Sequence, residues 1–301
     1  MKALQSALAH YRSICGELRA WGWEFNSKYR RSITVSTRQG RFTVYTGRGE
    51  PIGRSLYCSR EFEYEFMSKA LDLLRNQGKI PPRGQGTILD VGANNGVISI
   101  SLIHMGEMAS AIAIEPEPRN FKLLEHNMSQ NGLKGKFILL PYAVADQGGE
   151  GVFELCEYNC GDHRMRNNLP EDAGAELFSE SGRLTIPIKR ERLDDLLARV
   201  SATCLRDVAL MWIDIQGYEG QAFLGAKNLL SRKIPVVAEI WPYGIERAGM
   251  TREQFCAIAK DIWTHYWILR KGAFVQRAID DLGRLYDRLG SQGNFTNVIF
   301  T

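Results

Sequence analysis

The chain has 301 residues, of which 44% are hydrophobic and 24% charged, the balance of a globular protein that can fill a core. No run of about eighteen apolar residues is present and the N-terminus lacks a secretory signal, so neither a transmembrane segment nor export is predicted. Six scattered cysteines are typical of free thiols in a reducing compartment, which predicts a cytoplasmic protein.

The net charge of +4 is distributed unevenly along the chain. Residues 1–49 contain nine Lys or Arg and two Glu, whereas the remaining residues contain 29 basic and 32 acidic side chains. The basic section could contact an anionic acceptor or a membrane surface, although a solvated basic face is the simpler interpretation. No basic stripe with interleaved aromatic residues is present, so a nucleic-acid partner is not predicted.

The first 60 residues show a helical pattern followed by two short alternating segments. Apolar residues recur at helical spacing over residues 3–23, which predicts a helix. Residues 32–35 and 41–45 alternate around the turn dipeptide Gln39-Gly40, which predicts a β-hairpin. We therefore predict an N-terminal extension over residues 1–60, through which subunits could pair into a homo-oligomer.

Helices and strands alternate over residues 61–301, which we predict to form one domain. Strands are predicted at 87–91, 110–115, 136–141, 209–215, 235–241, 266–275 and 294–300, and helices at 61–75, 96–105, 118–130, 192–200, 219–231, 251–265 and 278–289. This alternation predicts an α/β fold of the Rossmann-like type. Its sheet is expected to be doubly wound, seven-stranded and mostly parallel, with helices on both faces.

Residues 150–190 interrupt this alternation. The segment 152–155 is short and apolar, a polar loop follows at 157–166, and a short acidic helix is predicted near 171–180. In open α/β sheets, ligands bind outside the carboxyl ends of the strands. We therefore interpret the insertion as a loop over the sheet edge that forms a lid on the active site.

One turn carries the strongest functional signal in the chain. The apolar strand at 87–91 leads into Gly92-Ala-Asn-Asn-Gly96, and a helical pattern follows. Glycine in such a turn lets backbone N–H groups approach a polar ligand closely. The next strand ends in Glu115, where a carboxylate can accept hydrogen bonds from ribose hydroxyls. Because the turn lacks the dinucleotide pattern G-x-G-x-x-G, it favours a nucleoside with a zwitterionic tail over a pyrophosphate.

Acidic residues also lie at the ends of two later strands. Asp214 is expected to face the ligand crevice, with a structural N-cap role as the alternative. Together with Glu239 it could flank an acceptor hydroxyl or hold a divalent cation, but no further ligands can be named, so no metal is predicted. His163 lies in the polar loop and could take a proton from a hydroxyl, unless it is an exposed histidine without a role.

Several motifs together resemble the FkbM family of S-adenosylmethionine-dependent methyltransferases. They are Ile88-Leu-Asp-Val-Gly-Ala-Asn-Asn-Gly96, Glu115-Pro-Glu-Pro118, Gly161-Asp-His-Arg164, Trp212-Ile-Asp-Ile-Gln-Gly-Tyr-Glu219 and Glu239-Ile-Trp-Pro242. Members of the family often have Lys and Glu where this chain has Trp212 and Gln216. The resemblance implies a Rossmann-like fold, S-adenosylmethionine as cofactor, and O-methyl transfer to polyketides, glycans or lipid-linked saccharides.

The resemblance also implies roles for individual residues. Cofactor contacts are expected from Asp90, Gly92, Ala93, Asn94, Gly96, Glu115, Pro116, Ala143, Asp146 and Asp214. The candidate catalytic residues are His163, Asp214 and Glu239, and the candidate acceptor contacts are Asn159, Asp162, Arg164 and Trp241.

We therefore predict an O-methyltransferase that acts on a small-molecule, glycan or lipid-linked acceptor, which could be anionic. The alternative is a non-enzymatic S-adenosylmethionine-binding module that regulates or scaffolds a biosynthetic pathway. A dinucleotide-dependent oxidoreductase is disfavoured, because the turn lacks the middle glycine of the dinucleotide pattern.

Overall fold

The structure is a computed structural model, and it describes residues 2–47, 49–167, 176–200 and 205–301. The described strands are, in chain order, β1 (Ser32–Thr37), β2 (Gly40–Tyr45), β3 (Thr87–Val91), β4 (Ser110–Ile114), β5 (Phe137–Leu140), β6 (Ala143–Ala145), β7 (Gly149–Leu155), β8 (Arg164–Met165), β9 (Leu184–Arg192), β10 (Val208–Ile213), β11 (Val236–Ile240), β12 (His265–Arg270), β13 (Ala273–Ala278) and β14 (Thr296–Phe300). The α-helices are Lys2–Tyr29, Pro51–Cys58, Tyr64–Asn76, Val97–His104, Pro118–Gln130, Leu193–Ala198, Glu219–Leu224, Lys227–Leu230, Pro242–Arg247, Arg252–Ile262 and Leu282–Leu289. No described helix has a stretch long and apolar enough to cross a membrane.

The largest sheet has eight strands in the order β13-β12-β14-β11-β10-β3-β4-β5. The five strands from β11 to β5 run parallel to their neighbours, whereas β14 pairs antiparallel with both β11 and β12. The sheet is therefore mixed, and the predicted count of seven strands is wrong. The segment predicted as one strand at 266–275 is a hairpin, because the chain turns back at Lys271 and Gly272, both of which have positive φ.

Successive residues of the central strands belong to two different apolar clusters. Leu89 and Val91 of β3 pack with the helices Leu193–Ala198 and Arg252–Ile262, whereas Ile88 packs with the helices Tyr64–Asn76 and Val97–His104. Because alternate side chains of a strand point to opposite faces, the two clusters lie on opposite sides of the sheet. The predicted covering of both faces by helices is confirmed.

The predicted N-terminal helix and hairpin are both present, and the hairpin packs on the large sheet's helices. Phe42 and Val44 are fully buried in the same apolar cluster as Ile88. The edge of β2 is bound by amide side chains of helix Pro118–Gln130: the Thr43 N–H donates to Asn127 Oδ1 at 2.8 Å. The hairpin therefore contacts the helix that begins directly after the predicted ribose-binding strand.

Parts of the insertion form a second sheet that the sequence did not predict, whereas most of the polar segment predicted as a loop at 157–166 lies in the connection between β7 and β8. Strands β6, β9, β7 and β8 pair in that order, and β7 and β9 pair along the whole of β7. Phe153, Met165 and Ile188 bury one face of this sheet. Of the predicted acidic helix near 171–180, residues 171–175 lie outside the described chain, and 180–182 forms a single 3-10 turn.

Candidate functional site

The Gly-rich turn is fixed between two neighbouring strands. The N–H groups of Gly92 and Ala93 both donate to the carbonyl oxygen of Ile114, at 3.0 and 2.9 Å. Gly92 has a φ of +83°, and a Cβ added there would lie 2.0 Å from the carbonyl oxygen of Asp214. Only glycine therefore lets the end of β3 approach the end of β10 this closely.

Asp90 lies beneath this turn rather than at its surface. Its Oδ2 accepts a hydrogen bond of 3.2 Å from the N–H of Ser99, in the first turn of the helix that follows Gly96. Burial raises the pKa of Asp90 to about 6. Asp90 therefore fixes the helix start against the strand.

Glu115 binds the turn through both of its carboxylate oxygens. Oε2 accepts from the N–H of Asn94 and Oε1 from the N–H of Glu117, each at 2.8 Å. Burial raises the pKa of Glu115 to about 8, although these two hydrogen bonds act in the opposite direction. A positively charged ligand in the cavity would favour the ionised form of Glu115. The carboxylate has about four acceptor positions, so both oxygens can still accept hydrogen bonds from a ligand.

A cavity of about 510 Å³, including its solvent-open part, lies above these residues at the carboxyl ends of the parallel strands. Seven predicted site residues line it: Gly92, Asn94, Glu115, Pro116, Ala143, His163 and Asp214. It is also lined by residues that the sequence did not single out, among them Asn120, Phe153, Cys160, Met165, Gln216 and Tyr218. Its size is that of a small-molecule site, and its place agrees with the strand-end rule for α/β sheets.

The charge of this cavity is one-sided. Glu115 and Asp214 contribute carboxylates, and none of its described lining residues is Lys or Arg. A phosphate-bearing ligand is usually bound by Lys or Arg, whereas a cationic ligand is stabilised by carboxylates. The described lining therefore suits a cation better than a pyrophosphate.

A loop from the insertion covers one side of the cavity. The carbonyl oxygen of Cys160 accepts from the side-chain amides of Asn94 and Asn120, each at 3.1 Å, and the N–H of Cys160 donates to Glu50 Oε1 at 2.7 Å. Asn120 is buried, and its Oδ1 has no hydrogen-bond partner among the described residues. Because a buried polar atom without a partner is costly, this oxygen marks a position where a ligand donor would be favourable.

His163 lines the same cavity in a form that is a poor base. Its Nδ1 accepts a hydrogen bond of 3.0 Å from the N–H of Cys156, so the neutral ring carries its proton on Nε2. Burial, together with the charges of Arg119 and Arg183, lowers the pKa of His163 to about 4. At neutral pH the ring is therefore uncharged, with one nitrogen occupied and the other protonated.

Asp214 and Glu239 are joined by a residue whose role the sequence did not reveal. Gln216 has a φ of +57°, and its Nε2 donates to Asp214 Oδ1 at 2.6 Å and to Glu239 Oε2 at 3.3 Å. Burial raises the pKa of both carboxyl groups. The Gln216 side chain thus holds Oδ1, and the Asp214 carboxylate lines the cavity, where a ligand can reach it.

The remaining predicted residues do not line this cavity. Ala93 and Gly96 lie within the turn, Asp146 follows β6, and Glu239 lies behind Gln216. Asn159 shapes the loop by accepting from the N–H of Gly161. The other acceptor candidates belong to a buried ionic and aromatic cluster: Asp162, Arg164 and Trp241. Within the described ranges, no group of three or more His, Cys, Asp or Glu side chains is arranged to hold a metal ion.

Another buried acid makes the stability of the site depend on pH. Glu219 is fully buried, its Oε1 accepts from the N–H of Ile215 at 2.9 Å, and burial raises its pKa to about 8. The folded state therefore holds a proton that the unfolded chain releases above its ordinary pKa of 4.5. By linkage, this contribution to stability is complete below that value and is lost as the pH rises through the folded pKa.

We expect Glu219→Gln to weaken the pH dependence of unfolding. Urea titrations from about pH 5 to about pH 8 should show the free energy of unfolding of the unmodified protein falling with pH, and falling less in the variant. Glu253→Gln replaces an exposed glutamate in the first turn of another helix and should leave the slope unchanged. Equal slopes for Glu219→Gln and the unmodified protein would contradict this assignment.

The chain is similar to known methyltransferases. A family model described as the methyltransferase FkbM domain matches residues 90–265. The 2-O-methyltransferase NoeI of Sinorhizobium fredii is 24% identical over 154 residues, which cover 48% of this chain and 59% of that protein. The crystal structure of methyltransferase FkbM from Methylobacillus flagellatus covers 82% of this chain and 52% of its own, with 13% identity and a TM-score of 0.42. The chain thus spans between half and two thirds of the length of either protein.

Proposed function

Because this chain belongs to the FkbM methyltransferase family, we propose that it transfers a methyl group from S-adenosylmethionine to a hydroxyl oxygen of a small-molecule, glycan or lipid-linked acceptor. One observation carries the proposal beyond the family: the described lining of the strand-end cavity holds two carboxylates and no Lys or Arg. The cofactor carries two positive groups, a sulfonium and an ammonium, and one carboxylate. Its net charge is therefore positive, which suits this acidic lining.

The lining residues fit the three parts of this cofactor. The carboxylate of Glu115, held by two backbone N–H groups, can accept from the two ribose hydroxyls. Ile114, Val144 and Phe153 offer an apolar surface for the adenine ring. The unpartnered Oδ1 of Asn120 and the carboxylate of Asp214 are acceptors for N–H groups of the ligand or for an incoming hydroxyl.

The reaction needs little from the protein besides positioning and one proton acceptor. When bound, the cofactor supplies a methyl carbon that its sulfonium already makes electrophilic. Holding an acceptor oxygen in line with that carbon is a positioning effect that supplies several kcal/mol of barrier lowering. Asp214 is our candidate base, because its carboxylate lines the cavity and Gln216 holds its Oδ1 in place. His163, with its proton on Nε2, acts in this proposal as a hydrogen-bond donor.

Calorimetric titration tests the proposal directly. We expect S-adenosylmethionine and S-adenosylhomocysteine to bind with micromolar dissociation constants, and NADH not to bind, because the described lining offers no cation to its pyrophosphate. Absence of binding by both adenosyl ligands would contradict the proposal. Binding without methyl transfer to any acceptor would instead favour a regulatory or scaffold module.

We expect Glu115→Gln to weaken binding of S-adenosylhomocysteine about 10- to 100-fold, the effect of losing one or two hydrogen bonds to a charged group. The amide can accept from only one of the two N–H groups that the carboxylate binds, so the turn should also lose stability. Calorimetry and thermal melting measure the two effects. Glu125→Gln, at an exposed position of the helix Pro118–Gln130, is the matched control and should change neither. Unchanged affinity in Glu115→Gln would remove Glu115 from the cofactor site.

A further inference from the structure

A second cavity adjoins the proposed cofactor site. It measures about 600 Å³, including its solvent-open part, and shares three lining residues with the first: Met165, Gln216 and Tyr218. Gln216 donates to Asp214, so the shared boundary lies beside the candidate base. A molecule in the second cavity could therefore present a hydroxyl to Asp214 across this boundary.

Arg164 lines this cavity and has one nitrogen without a hydrogen-bond partner among the described residues. The residue is 4% exposed, its Nε donates to Glu154 at 2.9 Å, and its Nη2 donates to Glu180 at 3.1 Å. Its Nη1 is buried and has no hydrogen-bond partner among the described residues. The guanidinium carbon of Arg164 lies 4.9 Å from the centre of the Trp241 ring, and this contact restricts the orientation of the guanidinium group. A buried guanidinium nitrogen without an acceptor is costly, so a ligand oxygen at this position would be favourable.

The charges of the described lining residues are matched within the protein. Three arginines and three glutamates line the cavity: Arg164, Arg166, Arg247, Glu154, Glu176 and Glu180. They pair as Arg164 with Glu154 and Glu180, Arg166 with Glu154, and Arg247 with Glu176.

The ionisation state of Glu180 supports this balance of charges in the cavity. Burial acts to raise its pKa, but the hydrogen bond from Tyr243 and the charge of Arg164 lower it overall. Glu180 is therefore ionised at neutral pH and compensates the arginine beside it. These residues offer no uncompensated positive charge to an anionic ligand, and such a ligand would lose its hydration on binding.

We propose that the second cavity binds the methyl acceptor, that Arg164 Nη1 donates to one of its oxygens, and that the part bound there is neutral and rich in hydroxyl groups. This inference rests on the proposed function and specifies its acceptor site. It differs from the anionic acceptor suggested by the basic residues of the N-terminal section. The reason is that it is argued from the balanced charges of the cavity beside Asp214.

Saturation-transfer NMR on the protein loaded with S-adenosylhomocysteine tests the inference. The probes are neutral methyl hexopyranosides of several configurations, with the corresponding hexuronic acids and hexose phosphates as anionic counterparts. We expect at least one neutral glycoside to bind, and to bind more tightly than its anionic counterparts. Tighter binding of the anionic sugars, or no binding by any neutral glycoside, would overturn the inference.

Two variants locate the binding in this cavity. Arg164→Lys keeps a positive charge beside Glu154 and Glu180 but removes Nη1, and should weaken glycoside binding about 10-fold or more. Ser181→Trp fills the cavity from an exposed position and should abolish binding even if Arg164→Lys folds poorly. Ser129→Trp, on an exposed helix surface elsewhere, should leave binding unchanged.

Binding of S-adenosylhomocysteine distinguishes failure of the proposed function from failure of the proposed acceptor site. If S-adenosylhomocysteine does not bind the unmodified protein, the proposed function itself fails. If it binds equally to the unmodified protein and to Ser181→Trp, while glycoside binding is also equal in both, only the acceptor site proposed here is overturned.

Discussion

Replacing Asp214 with Asn should lower kcat about 10²- to 10⁴-fold while the protein keeps its fold and still binds S-adenosylhomocysteine. The amide keeps an oxygen for the hydrogen bond from Gln216, but it cannot take a proton from an acceptor hydroxyl. The loss should therefore appear in kcat, measured with saturating cofactor and an acceptor that the acceptor-site experiments identify. Affinity for the cofactor should fall only a few-fold, because Glu115 still provides a carboxylate in the cavity.

The pH profile distinguishes a base from a residue that only positions the substrate. Burial raises the pKa of Asp214, so kcat of the unmodified protein should fall as acid protonates this carboxylate, at a higher pH than for an ordinary aspartate. The Asn variant should lack this acidic decline. His163 is not expected to act as the base, because its Nδ1 accepts a hydrogen bond from the N–H of Cys156 and its neutral ring carries the proton on Nε2.

The control for this prediction lies at the other end of the same strand. Asp207→Asn makes the same chemical change just before β10, at an exposed position remote from the cavity, and should retain kcat within about two-fold. If Asp214→Asn behaved like Asp207→Asn, Asp214 would not be the base, and His163→Ala would become the next variant to measure.

The sequence was sufficient to predict the parts of this site that depend on local patterns. An apolar strand, a Gly-rich turn and a helix follow one another within twenty residues, and the acid at the end of β4 lies where such a turn needs it. Glu115 was therefore predictable, because the turn and the strand end are both local features. Gly92 was predictable for the same reason, although the sequence did not indicate how closely β10 approaches it.

Other features of the fold and of the site depend on contacts between residues that are far apart in the sequence. The segment at 184–192 has alternating apolar residues at Leu184, Ile186 and Ile188, but its partner β7 begins more than thirty residues earlier, and the sequence did not indicate that pairing. The hairpin of β12 and β13 was read as a single strand because both halves have strand composition. Gln216 was noted only as a departure from the family motif, since its bridge between two carboxylates requires β10 and β11 to be adjacent.

Arg164 is a single side chain whose distant partners the sequence did not reveal. In the sequence it lies in a polar loop and was expected to contact the acceptor. In the structure it is buried between Glu154 and Glu180, with one nitrogen left for a ligand. A sequence pattern indicates that a residue is polar, but its partners are fixed only when the strands around it pair. Here that pairing holds Arg164 between Glu154 and Glu180.

Replacing Gly92 with Ala should have the largest structural effect of any single methyl group added to this site. The positive φ of Gly92 alone costs an alanine about 1 kcal/mol or more. The added Cβ would also lie 2.0 Å from the carbonyl oxygen of Asp214 and 2.9 Å from the side chain of Ile215. Backbone at the end of β10 would have to move away, and the candidate base would move with it.

Gly106→Ala separates the two causes. Gly106 has a φ of +70°, but a Cβ there meets nothing within 4 Å, so this variant should lose only about 1 kcal/mol of unfolding free energy and keep its cofactor affinity. Gly92→Ala should lose about 3 kcal/mol or more in urea titrations and bind S-adenosylhomocysteine at least about 100-fold more weakly. Equal effects of the two substitutions would show that the turn tolerates a side chain. The close approach of β3 to β10 would then not be what shapes the cofactor site.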